Sequence, residues 1–292
     1  MASTEEGGRE HALGPAHLAG CLALSKSARW NQNEADWRLM LELGRGYGLS
    51  LPDATLAAST LALPYGGRFS WVSMVLVLPE HRRRGYATRL LRHALADLAA
   101  ARLTPVLDAT PAGHDVYAQE GFLDTWGFKR FALRAQRMVR AKARGVLVRP
   151  LTAADWPAVL ALDEPAFGAS RERLLRALAG RLPEAALIAV RDAEVAGFLL
   201  GRDGSEARQL GPLVAADAEI ARALLAQAIA RVALPLYVDL VDREEGLRDW
   251  AQSCGFEFQR PFTRMVLAQP GTAARAPGDE RLVMLVAGPE LG

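Results

Sequence analysis

The segment Trp71 to Leu91, WVSMVLVLPEHRRRGYATRLL, holds the residues of this 292-residue chain best suited to chemistry. An apolar, strand-like run ends at Pro79, a polar turn places Arg82, Gly85 and Ala87 as R-x-x-G-x-A, and a strongly helical run begins. A strand that feeds the exposed start of a helix leaves several backbone N–H groups with no intrahelical acceptor. With the helix dipole, those donors make an anion seat suited to a pyrophosphate. Gly85 and Ala87 matter because a larger side chain would hold a phosphate off the backbone, and Pro79 ends the ladder so that the chain can turn. The bland alternative for Arg82, Arg83 and Arg84 is a solvated basic turn or a nucleic-acid patch. The strand–glycine–helix setting favours phosphate, and no basic stripe interleaved with aromatics accompanies the turn.

Bulk properties narrow the field. Half of the residues are hydrophobic and 23% are charged, the composition of a soluble globular protein. The net charge of +2 is too small to argue for nucleic acid or membrane binding. Two cysteines, Cys21 and Cys254, lie far apart, which suits a reducing compartment and offers no CxxC site. Neither a membrane-spanning apolar run nor a secretory h-region is expected, and a cytoplasmic protein is the default. With no HExxH and no clustered Cys/His spacing, no metal is expected; His81 and His114 read as surface histidines.

An internal repeat organises the chain. Leu13 to Ser25 (LGPAHLAGCLALS) matches Leu151 to Asp163 (LTAADWPAVLALD) at an offset of 138. RLLRHA from Arg89 matches ALLAQA from Ala223, and YAQEGF ending at Phe122 matches WAQSCGF ending at Phe256, both at an offset of 134. Two copies of one fold are expected over 10–140 and 146–268, followed by a loop and strand over 269–292. Arg134 to Arg149 reads as a basic helix or linker leading into the first strand of the second copy. In the first copy the pattern predicts a strand at His11–Leu13 and helices at Pro15–Ala28 and Glu34–Leu43, the latter ended by Gly44 and Gly46. Strands follow at Leu56–Leu63 and Ser70–Leu78, joined by the turn at Pro64 to Gly67. Next come a helix at Tyr86–Ala101, a strand at Pro105–Asp108, a helix near Gly113–Gln119 and a terminal strand pair after Gly121. Residues 281–288 (RLVMLVAG) read as a last strand returning to a sheet edge. The fold class is α/β (α+β), each copy a mixed, mostly antiparallel sheet flanked by helices.

With these residues in place, the first copy resembles the GCN5-related N-acetyltransferases. That family's signature, Gln/Arg-x-x-Gly-x-Gly/Ala at a strand-to-helix junction, is met by Arg82 to Ala87. The helix carrying Tyr-x-x-x-Gly-Phe that closes the family's site matches Tyr117 to Phe122, and LDATPAG with the tandem layout resembles a bacterial subgroup whose second domain is modified. The resemblance implies acetyl-CoA as cosubstrate and acetyl transfer to a primary amine of a small molecule or peptide, by direct attack. It places Val75, Leu76 and Val77 along the pantetheine arm, and Arg82, Arg83, Arg84, Gly85, Tyr86, Ala87 and Thr88 around the pyrophosphate. The family's fourth and fifth strands splay apart to admit the thioester; here they are Trp71–Leu78 and Pro105–Asp108. Tyr117 takes the place of the acid that protonates the leaving thiolate; the bland reading is a core tyrosine with its hydroxyl at the rim. Where some members carry a glutamate on the fourth strand, this chain has Trp71, which leaves Asp108, or Ser73 through a water, as the candidate base. Asp108 could equally cap the helix starting near Pro111. Trp30 and Trp37, with Asn31, Asn33 and Asp36, line either an acceptor pocket or a capped helix and its core.

The second copy lacks the signature. Its counterpart, Leu210 to Leu225, places Asp217 and Glu219 where a pyrophosphate would sit, and Ala251 stands where Tyr117 would. One catalytic site per chain is expected, with the second copy completing an acceptor pocket or standing in for a dimer partner. A monomer or homodimer without nucleic acid or membrane partners fits these features. A non-catalytic acyl-CoA-binding sensor and a protein-binding module are the rival classes. The first predicts binding without turnover, and the second predicts no acetyl-CoA binding.

Overall fold

The computed structural model describes residues 8–135, 137, 141, 143–268 and 273–292. Part of the basic stretch after Arg134 and residues 269–272 of the expected loop lie outside them. The first half runs β1 (Arg9–Leu13), α1 (Leu18–Ser27), α2 (Glu34–Leu43), β2 (Arg45–Ser50), β3 (Leu56–Tyr65) and β4 (Phe69–Val77). It continues with α3 (Tyr86–Ala100), β5 (Thr104–Ala109), α4 (Pro111–Gln119) and β6 (Leu123–Leu133). The second half repeats that order as β7 (Val146–Pro150), α5 (Trp156–Phe167), α6 (Glu172–Arg181), β8 (Leu187–Arg191), β9 (Glu194–Arg202) and β10 (Arg208–Ala215). Then come α7 (Ala218–Arg231), β11 (Leu236–Val241), α8 (Glu245–Ser253) and β12 (Glu257–Val266). A short strand, β13 (Val283–Leu285), follows and has no counterpart in the first half.

Local sequence explains most of these elements. Asn33 caps α2 by accepting from the Asp36 amide while the Asp36 carboxylate returns a bond to the Asn33 amide, a reciprocal pair that leaves fewer orphan donors. Trp37 and Met40, three apart on one face, are then fully buried. In α3, Tyr86, Leu90, Leu91, Ala94 and Leu98 form the buried stripe. The strand β2 departs from the expected pattern, because Gly44 ends the helix while Gly46 already lies in a strand. Tyr47 and Leu49 carry its alternation, which the intervening glycines hide.

All thirteen strands among the described residues form one sheet, in the order β1-β2-β3-β4-β5-β12-β6-β11-β13-β10-β9-β8-β7. Pairings are antiparallel except for β4 with β5 and β10 with β11. The two halves exchange their closing strands. β12 lies between β5 and β6, pairing Thr263 with Ala109 on one side and Phe262 with Phe128 on the other. β6 in turn pairs with β11, from Leu236↔Leu133 to Val241↔Phe128. The strand pair expected after Gly121 is therefore a single long strand whose partners come from the other half. A lone β6 could not satisfy both of its edges within its own copy, and an unpaired ladder edge is costly where it is buried. β13 likewise does not return to a sheet edge; it enters the middle of the sheet, between β11 and β10.

The helices complete three layers. α1, α2, α5 and α6 pack on one face and share a continuous core that includes Trp37, Trp71, Phe128, Phe167 and Phe198. On the opposite face α3 and α4 cover the first half, and α7 and α8 the second. At the junction of the halves Arg130 of β6 donates two hydrogen bonds to Asp239 of β11, at 2.8 and 2.7 Å, and Gln209 donates to the same carboxylate at 2.6 Å. This pair is essentially solvent-free. No helix among the described residues is long and apolar enough to cross a membrane. Because each half supplies a strand that the other's sheet needs, scanning calorimetry on the intact chain should show one cooperative unfolding transition. Asp239→Ala, which strands a buried guanidinium, should cost about 3–5 kcal/mol in chemical denaturation.

Candidate functional site

β4 and β5 pair in parallel over only three positions, Phe69↔Thr104, Ser70↔Pro105 and Trp71↔Val106, and then part. The cause lies in β4. Leu61 faces Ser73 and Ser59 faces Leu76, so β4 carries one residue more than β3 across this interval, and Met74 takes the extra position with φ of 50°. Such a bulge bends its strand and sharpens the twist. From residue 72 onward the β5-facing edge of β4, including Val75, Leu76 and Val77, has no ladder partner. The opening is a narrow cleft with Val72 to Val75 on one wall and Asp108, Thr110 and Tyr117 on the other. Trp30 and Gln32 from the α1–α2 connection, Arg130 from β6, Arg260 and Phe262 from β12, and Pro289 and Glu290 after β13 close it. The cleft is thus built from both halves.

The three expected catalytic residues all reach this cleft, in different states. Tyr117 stands on α4, packed edge-on to Phe122 at 6.1 Å. Tyr117 is half-buried, and burial pushes its phenol well above the ordinary pKa, so it stays protonated. Ser73 Oγ is buried and has no hydrogen-bond partner among the described residues. Asp108 does not cap α4. Both its oxygens accept from the Arg264 guanidinium, at 2.9 and 3.0 Å, and that guanidinium lies between Trp71 (4.3 Å) and Trp126 (4.1 Å). Burial raises the Asp108 carboxyl above the usual carboxylate range while Arg264 pulls it down. Trp71 fills the core beneath and donates from Nε1 to the Pro289 carbonyl at 3.0 Å. Of the residues weighed for an acceptor pocket, Trp30 lines the cleft. Trp37 is core and bonds Ser25, Asn33 and Asp36 cap α2, and Asn31 ties the α1–α2 connection to Ala207 of the second half.

The turn at the end of β4 has the form that an anion seat needs. Residues 78–85 carry the chain from β4 to α3, with Arg82, Arg83 and Arg84 exposed and Arg83 at φ of 62°. Gly85 takes the cap position at φ of 79°, a left-handed conformation that a side chain would strain by about 1–2 kcal/mol. A Cβ built on Gly85 meets nothing within 4 Å, so the space over the start of α3 is open. No side chain caps α3 and no acidic residue sits in its first turn, where Ala87 and Thr88 lie half-buried. Intrahelical acceptors are missing for first-turn amides in any helix, and here a phosphate could take them.

The second half closes both features. Only residues 216–217 separate β10 from α7, and Asp217 caps α7, its Oδ1 accepting from the Glu219 and Ile220 amides at 2.9 Å each. Those donors are already satisfied by a carboxylate, which Arg191 pairs at 2.7 Å. β10 and β11 also run parallel over three positions and part after Leu210↔Val238, but β13 fills that gap, bonding Leu213 and Val214 of β10 and Leu240 of β11. Gly211, at φ of 145°, makes the fit possible, because a side chain there would collide with the Val286 carbonyl. The slot open in the first half is plugged in the second by the chain itself.

The sequence reading missed Glu290, Gln32 and Arg260. Glu290 is 2% exposed and Gln32 is 4% exposed. Glu290 Oε2 and Gln32 Oε1 join Ser73 Oγ among the buried side-chain atoms without a partner among the described residues, and all three residues line one cleft. Arg260 is partly buried over the Phe262 ring, and burial and nearby Arg130 hold its pKa below the ordinary value. No local pattern marks these residues, since the second half and the segment after it deliver two of them.

Comparison with known proteins agrees with this geometry. A family model described as "Acetyltransferase (GNAT) family" matches residues 23–122, and one described as "Acetyltransferase (GNAT) domain" matches 159–277. Between them they take in well over half of the chain. A Bacillus subtilis (strain 168) protein called "Uncharacterized N-acetyltransferase YitH" is 23% identical over 244 residues, 82% of this chain and 84% of that protein. Among solved structures, a putative acetyltransferase from Pyrococcus horikoshii superposes with a TM-score of 0.79 at 19% identity, covering 100% of this chain and 98% of that one. A tandem GNAT protein from the clavulanic acid biosynthesis pathway superposes with a TM-score of 0.65 at 15% identity, covering 93% and 100%. At these identities the structural likeness speaks for the fold alone.

Because the Asp217 cap satisfies amides that in the first half stay available, Asp217→Ala should lower stability by about 0.5–2 kcal/mol. Ligand affinity at the first-half turn should be unchanged, with thermal melting and calorimetry as the two readouts.

Proposed function

Since the chain belongs to the GCN5-related N-acetyltransferase superfamily, as a tandem member whose second domain is degenerate, we propose that its first half transfers an acetyl group from acetyl-CoA to a primary amine of a small molecule or peptide. The observation that carries this reading is the pairing of an open strand splay with an uncapped helix start in the first half, while the second half closes both. The orphaned Ser73 Oγ and the open space over Gly85 fit a bound cosubstrate, which would supply the thioester carbon that the amine attacks. The amides and arginines of residues 82–88 hold its diphosphate, with Gly85 and Ala87 letting the phosphates approach the backbone. The unladdered edge at Val75, Leu76 and Val77 takes the extended pantetheine arm by strand-like hydrogen bonds. Donors freed by the bulge at Met74 stabilise negative charge developing on the carbonyl oxygen, where exclusion of water makes such bonds strong. Tyr117, kept neutral by burial, gives its proton to the departing sulfur.

Asp108 has another role in this reading. With both oxygens on Arg264 it is a poor acceptor for the amine's proton, and its work is to fix the guanidinium that braces Trp71 and Trp126 beneath the cleft. The domain division at about 10–140 and 146–268 assigns chemistry to the first unit and support to the second.

Gly85→Glu should abolish acetyl-CoA binding in calorimetry, since a carboxylate would stand where the diphosphate sits, and a binding constant within threefold of wild type would overturn the seat. Tyr117→Phe should lower kcat about 10²–10⁴-fold with little change in acetyl-CoA affinity. Because burial raises the Tyr117 pKa, the alkaline fall of kcat set by this group should lie above pH about 10, the ordinary tyrosine value.

A further inference from the structure

We propose that Glu290, held in the first-half cleft by the strand that plugs the second-half slot, is the catalytic residue that seats the acceptor's ammonium group and takes its proton, with Gln32 as the second arm of that seat. The inference rests on the acetyl-transfer reading and names the acceptor side of it. Glu290 follows β13, which is anchored between β10 and β11, and two contacts fix the segment across the cleft floor: Trp71 Nε1 on the Pro289 carbonyl, and the Tyr65 hydroxyl on the Leu291 carbonyl at 3.2 Å. One Glu290 oxygen, Oε1, accepts from the fully buried Arg202. Arg202 also bonds Asp36 at 2.6 Å and Gln209 at 3.2 Å, so its position is set from several sides. The other oxygen, Oε2, is buried and has no partner among the described residues.

A buried carboxylate oxygen left unbonded is destabilising, and such an arrangement points to a ligand that completes it. The chemistry of the ligand follows from what the cleft offers. Glu290 Oε2 and Gln32 Oε1 are acceptors, so they call for a donor-rich group. Of the cationic side chains lining the cleft or beside it, Arg130 is paired with Asp239 and Arg264 with Asp108, while Arg260 rests on the Phe262 ring with no ion pair among the described residues. A primary ammonium, with three N–H donors, matches in number the three acceptors Glu290 Oε2, Gln32 Oε1 and Ser73 Oγ. Neither Asp108 nor an acid on the fourth strand can serve, the first being committed to Arg264 and the second replaced by Trp71.

The proton balance is complete without any further reactant. Two protons leave the acceptor nitrogen. The first passes to Glu290 Oε2 as the ammonium becomes an amine, and goes on to solvent. The nitrogen lone pair then forms the C–N bond to the thioester carbon, the C–S bond breaks, and Tyr117 protonates the sulfur. The second nitrogen proton restores the Tyr117 hydroxyl. An amide and a free thiol leave.

The test uses the full chain, acetyl-CoA, and a panel of alkylamines, amino-acid amines and one weakly basic arylamine that is neutral at pH 7. Glu290→Gln should bind acetyl-CoA with wild-type affinity yet lose about a hundredfold or more in kcat/KM for alkylamines. Its loss should be smaller for the arylamine, which needs no ammonium seat; a purely structural defect would lower both equally. Gln32→Leu disturbs no ion pair and should raise the alkylamine KM about tenfold or more, the cost of a lost bond to a charged group, with kcat little changed. If Glu290→Gln keeps wild-type kcat/KM, the proposal is wrong. If that variant fails to fold, an unchanged amine KM in Gln32→Leu overturns it. A wild-type chain that binds acetyl-CoA but acetylates nothing in the panel refutes the acetyl-transfer reading and this proposal with it; failure confined to the variants refutes this proposal alone.

Discussion

Two parallel strands that stay together for three residues and then part are the constraint on which the remaining structure turns. A bulge at Met74 bends β4 away from β5, and the backbone groups exposed by that parting must find partners or a ligand. β12 of the other half takes the far edge of β5, so the gap has a fixed width and two rigid walls. The same parting occurs between β10 and β11, and there the chain answers it differently, by laying β13 into the gap. One fold thus meets one geometric problem twice, once by leaving a site and once by filling it.

That asymmetry still leaves the second half with residues in the cleft. The turn before α7 is short and Asp217 caps that helix, yet the half still supplies Arg260 and Phe262 to the cleft through β12. It also supplies the bed on which the segment carrying Glu290 rests. Buried charges lock these pieces together: Arg130 with Asp239, Arg264 with Asp108, Arg202 with Asp36 and Glu290. Such pairs add little net stability against apolar packing, but they tolerate almost no displacement, because a shift leaves a charge stranded. Here each links residues far apart in the chain, so they set the register between the halves and the shape of the cleft.

Much of this was legible in the residues. The R-x-x-G-x-A turn marks the strand-to-helix junction, where the structure places Gly85 in a left-handed conformation at the start of α3. The repeat survives as matching apolar positions at nearly one offset, since both copies bury the same faces. Asp217 and Glu219 set the second copy's helix start apart from that turn, and Asp217 caps α7. Tyr117 and Ser73 follow from their place relative to those landmarks, and Trp37 from its helical spacing with Met40. The strand β2 escaped because its glycines dilute the alternation that marks a strand.

The sequence by itself therefore determined the local pieces: which segments are helix or strand, that they recur, and which copy carries the R-x-x-G-x-A turn. Tertiary structure alone decided which strand lies beside which. An alternating apolar pattern says which face of a strand is buried but not what covers its edges, so the exchange of β6 and β12 and the entry of β13 into mid-sheet carry no local signature. Asp108 reads as a cap or a base until Arg264, 156 positions later, claims both its oxygens. Glu290 reads as an ordinary acidic residue until Arg202 holds one oxygen and the other stays buried with no partner among the described residues. Roles of that kind come from burial and pairing between distant segments, and burial exists only once the chain has folded.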